Sequence, residues 1–323
     1  MTNYFYLSSS RDGWQNLATD EWLLDHLQPD EMILYLYINQ NAVIIGKNQN
    51  PWRECNLQAM DQDGVQLVRR ITGGGAVFHD TGNLNFSFIA GEERYDLEKQ
   101  MGLILHAVRS LGIPCDFSGR NDLLADGRKF SGNAFCSRAG IRQHHGTLLL
   151  HADMTRLQNY LQVDPRKLQA KGVTSVRSRV CNLSEFREDL TVPVMISSLK
   201  QTFRKTYGDY TEWKPTGDQL AGIEQYREKH ASWDWRIGQT PQFDLELDCR
   251  FDWGGVQMLL TSNEGRIVSL ELYSDALDTE LPQVVRGLLL GCRCSSKDMY
   301  DALRVLDNPQ IQALAQYILE QNL

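Results

Sequence analysis

Two arginines, three glycines and a lysine carry the chemistry that this chain can be read to perform. The run Arg69-Arg70-Ile71-Thr72-Gly73-Gly74-Gly75-Ala76-Val77-Phe78-His79-Asp80-Thr81-Gly82-Asn83 sets a glycine loop between two strand-like segments. Glycines let peptide N–H groups approach a phosphate or a narrow acyl chain closely, and Arg70 adds a permanent planar cation. A glycine run alone is common in surface turns. Here Val65 to Arg70 and Leu84 to Ala90 both read as strands, so the glycines bridge rigid elements. Further along, Asp126-Gly127 signals a tight turn joining Leu123–Ala125 to Arg128–Ala134, with Lys129 beside it. Arg166, Lys167, Lys171, Arg177 and Arg179 form a basic stretch, which standing alone reads as a solvated loop and beside the glycine loop as a phosphate loop.

The elements that must position these groups follow from periodicity and caps. Asn16–Leu27 reads as a helix and Ala42–Gly46 as a short buried strand. Asp96 caps a helix from Leu97 to Leu111 that Gly112 and Pro114 end. A strand over His145–His151 and helices over Thr155–Leu161 and Val194–Tyr207 follow. After a linker at Trp233 to Pro241, strands at Phe243–Asp252, Val256–Leu260 and Ile267–Tyr273 precede three helical segments, the pattern of a small second α+β domain.

Length and composition bound the possibilities. At 323 residues, with 42% hydrophobic and 23% charged residues, the chain can bury the cores of two domains, and no apolar run is long enough for a bilayer. The net charge of −8 argues against a general nucleic-acid binder, so neither nucleic acid nor membrane is expected as a partner. Seven dispersed cysteines and an N-terminus without a signal pattern fit a cytoplasmic protein. The pair Cys292 and Cys294 lacks a second pair, and adjacent His144 and His145 would face opposite sides of a strand, so neither reads as a metal site.

With these pieces placed, the chain resembles the lipoate-protein ligases, in the biotin/lipoyl protein ligase fold family. The resemblance rests on Asn50-Pro51-Trp52-Arg53-Glu54-Cys55-Asn56, the glycine loop, Gly119-Arg120-Asn121-Asp122-Leu123, Arg128-Lys129-x-Ser131-Gly132, His144-His145-Gly146-Thr147-Leu148-Leu149, and Ala170 through Arg179. Phe251-Asp252-Trp253-Gly254-Gly255 resembles the start of the accessory domain in the bacterial two-domain form. The resemblance implies an α+β fold with a mixed-sheet catalytic domain over 1–244 and an accessory domain over 245–323. It implies ATP-dependent activation of lipoate to lipoyl-AMP, with Mg²⁺. Transfer to a lysine then follows, on apo lipoyl domains of 2-oxoacid dehydrogenase complexes and on the glycine cleavage H protein, by a monomer.

Carried onto this sequence, the resemblance makes Lys129 catalytic. It gives ATP binding to Arg70, Gly75, Ala76, Val77, Phe78, Asn83 and Lys129. Lipoate falls to Thr72, Gly73, Gly74, Gly75, Lys129 and His145, and an adenylate loop to Lys171, Gly172, Val173, Thr174, Ser175, Val176, Arg177, Ser178 and Arg179. Asp122 is a candidate Mg²⁺ ligand, or a turn residue. Related octanoyl or lipoyl transferases carry a catalytic cysteine three residues before the histidine of their His-Gly strand, where this chain has Arg142. Two other readings stay open: an ATP-independent acyl transferase, and a non-catalytic lipoate-binding assembly factor. Leu17, Val77 and Ala134 are candidates for an acyl pocket.

Overall fold

The computed structural model describes residues 2–118, 121–161, 180–237, 245–263 and 265–321. Among them, eight strands form one mixed sheet: β1 (Thr2–Leu7), β2 (Glu31–Tyr37), β6 (Asn83–Gly91), β7 (Asp116–Phe117), β8 (Asp122–Ala125), β9 (Arg128–Arg138), β10 (Ile141–Leu149) and β11 (Thr211–Glu212). Their order is β11-β1-β2-β6-β10-β9-β8-β7, with β1 parallel to β2 and β11 and the other pairs antiparallel. A smaller sheet has β3 (Ala42–Ile45) between parallel β4 (Gln66–Arg69) and antiparallel β5 (Val77–His79).

The large sheet is covered on both faces, which is why β2 is an unbroken apolar run from Met32 to Tyr37 and why the polar Asn83, Asn85 and Ser87 that alternate along β6 are buried as well. One face buries Phe5, Leu34, Phe86 and Phe88 against Ile104 of the helix Leu97–Ser110 and Leu199 and Phe203 of the helix Val192–Tyr207. The other buries Ile33, Tyr35 and Ile89 against Leu17 and Leu23 of the helix Gly13–His26. Caps form as the sequence suggests: the Asp96 side chain accepts from Lys99 N, and the Asp12 side chain from Trp14 N and Gln15 N. Asp126 and Gly127 both have positive φ, 49° and 70°, the backbone that a two-residue hairpin between β8 and β9 requires.

Residues 245–321 build a separate three-stranded antiparallel sheet, β12 (Leu245–Phe251), β13 (Gly254–Asn263) and β14 (Arg266–Ser274). Its core of Met258, Leu270, Val285, Met299 and Leu314 is closed by the helices Leu281–Leu289, Ser296–Leu303 and Pro309–Glu320. This unit docks on the first through polar contacts. Asn48 Nδ2 donates to Thr279 O at 2.9 Å, Asn50 Nδ2 to Gln257 Oε1 at 2.9 Å, and Gly74 N to Ala276 O at 3.1 Å. Part of the expected linker is a short helix, Trp233–Arg236, held where Trp235 Nε1 donates to Arg69 O and Arg69 Nε donates to Trp235 O, both at 2.9 Å. Among the described residues, no helix is long and apolar enough to cross a membrane.

The helix Gly217–Ala231 packs along Gly13–His26 through a buried carboxylate. Glu21, whose side chain is 2% exposed, receives Lys229 Nζ at 2.7 Å and lies 2.8 Å from His230 Nε2. Burial alone would raise its pKa, but those hydrogen bonds pull it from 4.5 to about 2. A depressed folded-state pKa gives stabilisation that is present above pH 4.5 and lost as pH falls toward 2. The gap in chemical-denaturation midpoint between wild type and Glu21→Gln is therefore expected to shrink steadily as pH drops through that window. A gap independent of pH would remove Glu21 from the acid response.

Candidate functional site

A cleft of about 810 Å³ lies between the two sheets and under the second unit. The glycine loop leaves β4 at Arg70 and enters β5 at Val77, so its carbonyls and N–H groups form one wall. Arg70 is buried inside that loop. Its Nη2 donates to Gly73 O at 2.7 Å and to Gly75 O at 3.0 Å, its Nη1 to Ile44 O at 3.3 Å, and its Nε to Thr72 Oγ1 at 3.1 Å. Burial brings its pKa down to about 10, which leaves it a cation at neutral pH. The neighbouring Arg69 is spent on structure, its Nη1 donating to the carbonyls of Gly46, Lys47 and Gln49.

Gly74 sits at φ 95°, a backbone that disfavours side chains, and a Cβ on Gly46 beneath it would meet Gly74 O at 2.2 Å. Gly73 is required for a different reason than ligand approach alone: a Cβ there would lie 2.4 Å from Ala276 O of the second unit. Gly75, Ala76 and Val77 are half-buried and face the cleft. Phe78 is 5% exposed and packs its ring 5.5 Å from that of Tyr160, so backbone is what it offers a ligand.

Lys129 reaches the cleft because the chain makes room for it. A bulge between Leu123 and Leu124 shifts the β8–β9 register, so that Leu124 faces Lys129 and Leu123 faces Ser131. A Cβ on Gly132 would meet Lys129 Nζ at 2.6 Å, so the lysine and glycine of Arg-Lys-x-Ser-Gly work as a pair. The ammonium lies 2.7 Å from Asp122 Oδ1, with the two side chains 21% and 11% exposed. Val180 bridges to Lys129, and Cys181 N donates to Lys129 O at 2.9 Å. Lys171 to Arg179 lie outside the described residues, but the flanking Leu161 and Val180 both line the cleft.

The adjacent histidines of β10 point apart. His145 lines the cleft, its Nε2 2.7 Å from Thr72 Oγ1 and its Nδ1 2.9 Å from Asp20 Oδ2. Thr72 is fully buried behind the wall, between His145 and Arg70. His144 turns to the other face, between Gln100 and Asn133. His79 also reaches the cleft; burial, then Arg70 and His145, push its pKa down to about 3, so it is neutral. Its Nδ1 faces the Asn39 amide nitrogen at 3.2 Å, which leaves the proton on Nε2. Asn83 is fully buried, its Nδ2 donating to Asn85 Oδ1 at 3.0 Å while its Oδ1 lacks a hydrogen-bond partner.

Leu17, Val77 and Ala134 all line the cleft. So do Arg250, Asp252, Trp253, Asp275 and Leu277 of the second unit, none of which sequence reasoning placed there, although the Phe251-Asp252-Trp253-Gly254-Gly255 run was its visible sign. Asp20, Asn85 and Gly132 were also missed as site residues; Gly132 stood inside a quoted motif, whereas Asp20 looked like one more polar residue on an amphipathic helix. The thiols are elsewhere. Cys136 is raised by burial to about 12 and donates to Gln143 Oε1, Cys181 is raised by burial to about 11, and Arg142 pairs with Glu92.

Comparison with known proteins gives a consistent picture. Residues 12–204 match the model of the lipoyl protein ligase A/B catalytic domain, and residues 240–320 that of the bacterial lipoate protein ligase C-terminus. A lipoate-protein ligase A from Psychrobacter cryohalolentis is 39% identical over 301 residues, covering 90% of this chain and 89% of that protein. The structure of P. falciparum LipL1 in complex with lipoate is 28% identical, with a TM-score of 0.86 over 98% of this chain and 99% of that one. A lipoate-protein ligase A bound with ATP is 28% identical, with a TM-score of 0.64 over 74% of this chain and 99% of that one. With its glycine loop, its Lys129 cleft and the matched second domain, this chain belongs to the lipoyl protein ligase family and is built like the two-domain lipoate ligases.

Proposed function

We propose that the chain is an ATP-dependent ligase that converts lipoate and ATP to lipoyl-AMP and pyrophosphate, then transfers the lipoyl group to a lysine of an acceptor lipoyl domain. The observation that carries this reading is Lys129, whose ammonium occupies the hollow left by Gly132 on the wall opposite the glycine loop. A carboxylate and a triphosphate repel each other, and a fixed cation between them offsets that repulsion. In the first step a lipoate carboxylate oxygen attacks the α-phosphorus and the bond to pyrophosphate breaks. In the second, the acceptor amine attacks the acyl carbon, the bond to AMP breaks, and the amine loses a proton. Lys129 offsets negative charge on the α-phosphate first and on the carbonyl oxygen next, while N–H groups from Gly75 to Phe78 face the nucleotide phosphate. Asn83 contributes an acceptor to the nucleotide, and His145 with Leu17 and Ala134 lines the acyl channel.

Asp122 fits a role with Mg²⁺. No cluster of three metal-binding side chains occurs among the described residues, and Mg²⁺ arriving on a triphosphate needs only one or two protein carboxylates. Asp122 would hold it, and the ion would neutralise charge on the phosphate oxygens. We assign residues 1–244 to catalysis and 245–323 to an accessory role. A monomer acting on 2-oxoacid dehydrogenase lipoyl domains and the glycine cleavage H protein completes the reading, and the seven free cysteines support a cytoplasmic setting for it.

The thioester-transferase alternative lacks its nucleophile, since the matching position is Arg142 and the thiols of Cys136 and Cys181 are raised away from the reactive thiolate. Cys136→Ala and Cys181→Ala are expected to keep ATP-dependent labelling of an apo lipoyl domain, measured by acceptor mass and pyrophosphate release. A hydroxylamine-sensitive lipoyl adduct on either cysteine, formed without ATP, would reverse the assignment. Lys129→Ala is expected to slow both half-reactions by about a hundredfold, the scale of losing one preorganised donor to developing charge. Near wild-type rates in a folded variant would return Lys129 to a surface role, whereas wild type that binds lipoate but labels no acceptor would favour the non-catalytic alternative. Ala276 and Leu277 sit on the glycine loop, and in this reading the accessory domain swings aside to admit the acceptor lysine. Adding a non-hydrolysable lipoyl-adenylate analogue is expected to change the small-angle scattering profile; an unchanged profile with the analogue bound would make that domain a fixed element.

A further inference from the structure

Asp20 lies on the helix Gly13–His26, on no loop and in no recognisable motif, and is 1% exposed. One carboxylate oxygen, Oδ2, is 2.9 Å from His145 Nδ1; the other, Oδ1, has no hydrogen-bond partner. A buried, half-satisfied carboxylate is destabilising, so its presence calls for a reason beyond packing. At the other end of the same contacts lies Arg70, a buried cation whose side-chain hydrogen bonds all go to neutral oxygens: Thr72 Oγ1 and the carbonyls of Ile44, Gly73 and Gly75.

The hydrogens between these two ends have one consistent direction. A carboxylate only accepts, so His145 donates from Nδ1. With no second proton on the ring, Nε2 accepts and Thr72 donates its hydroxyl across 2.7 Å. The Thr72 oxygen is left to accept from Arg70 Nε at 3.1 Å. Arg70 thereby keeps its fork turned toward Gly73 O and Gly75 O. Were the His145 proton on Nε2 instead, Thr72 would face two donors, and its own hydrogen would have to turn elsewhere.

We infer that Asp20 is a positioning residue for the ligase reaction. It fixes the His145 tautomer and, through Thr72 and Arg70, the shape of the glycine loop that faces the nucleotide. Asp20 acts without touching substrate, and its charge answers that of Arg70 across the chain of hydrogen bonds. This rests on the ligase reading of the cleft, but the arrangement of hydrogens can be measured without any turnover.

The test has two arms. In the first, ¹⁵N NMR of the imidazole rings, with His145→Gln to assign the signal, is expected to show His145 as the Nδ1–H tautomer in wild type and to show Nε2–H gaining population in Asp20→Asn. In the second, Asp20→Asn and Thr72→Val are each expected to lower kcat/KM for lipoate-dependent pyrophosphate release roughly 10-fold or more, the scale on which losing the outer partner of an oriented histidine is felt. The double variant is expected to be no worse than the poorer single, since both break one chain. An Nε2–H tautomer in wild type, an unaffected Asp20→Asn, or costs that multiply in the double variant would each overturn the inference. If wild type releases no pyrophosphate with lipoate and ATP, the ligase reading fails, and the tautomer arm still decides whether Asp20 orders the chain of hydrogens.

Discussion

A buried guanidinium bonded to two carbonyls of its own loop, the Thr72 hydroxyl and Ile44 O is the constraint on which this site rests. Arg70 is held by the end of β4, and its donors gather Gly73 O and Gly75 O inward. A loop whose carbonyls are drawn to one side presents its N–H groups to the other. Three glycines without such a clamp would lose more conformational freedom on ordering than most sequences, and the clamp is what makes the loop a surface and not a tether. Burial of the cation is tolerable because each guanidinium nitrogen donates a hydrogen bond, and because Asp20 supplies the opposite charge a few bonds away.

The large sheet then sets the distances. Pairing β10 between β6 and β9 puts His145 on the face of the helix Gly13–His26 and His144 on the other, so one strand contributes to the cleft and to the packed layer behind it. Gly146, next in line, has no room for a side chain: a Cβ would lie 2.6 Å from Phe86 Cζ and from Asn133 Oδ1. The same economy places Lys129. Its reach is decided by the β8–β9 bulge and by the empty space over Gly132, features that no single residue type announces.

Much of this was legible in the sequence because local signals and tertiary needs agreed. Asp96 with Gly112, and Asp126-Gly127, each specify a backbone conformation, and the corresponding helix and hairpin form within a few residues of the expected bounds. What could not be read is what depends on distant partners. The helix Gly217–Ala231 buries only Ile223 and His230 and is fastened by Glu21 instead of by an apolar stripe, so periodicity gave no sign of it. Asp20 was silent for the same reason: its meaning lies in His145, 125 residues away in sequence. Trp253 and Leu277 belong to the cleft only because the second unit is docked over it.

That docking has an energetic consequence for the first unit. Gly74 N is donated to Ala276 O, and Gly73 lies under the carbonyls of Ala276 and Leu277. One N–H cannot serve that carbonyl and a ligand oxygen fully at once. If an adenylate oxygen takes the Gly74 donor, the ligand weakens the seat of the second domain. By linkage, a seated second domain must weaken that ligand contact by the same factor. The interface is suited to such exchange, since its contacts among the described residues include side-chain amides, a 3.3 Å Lys47–Glu280 pair at the surface and a few backbone bonds, and the two units have separate apolar cores. An interface of that kind can open without exposing a hydrophobic core, so the swing proposed for the second domain would not require either domain to unfold.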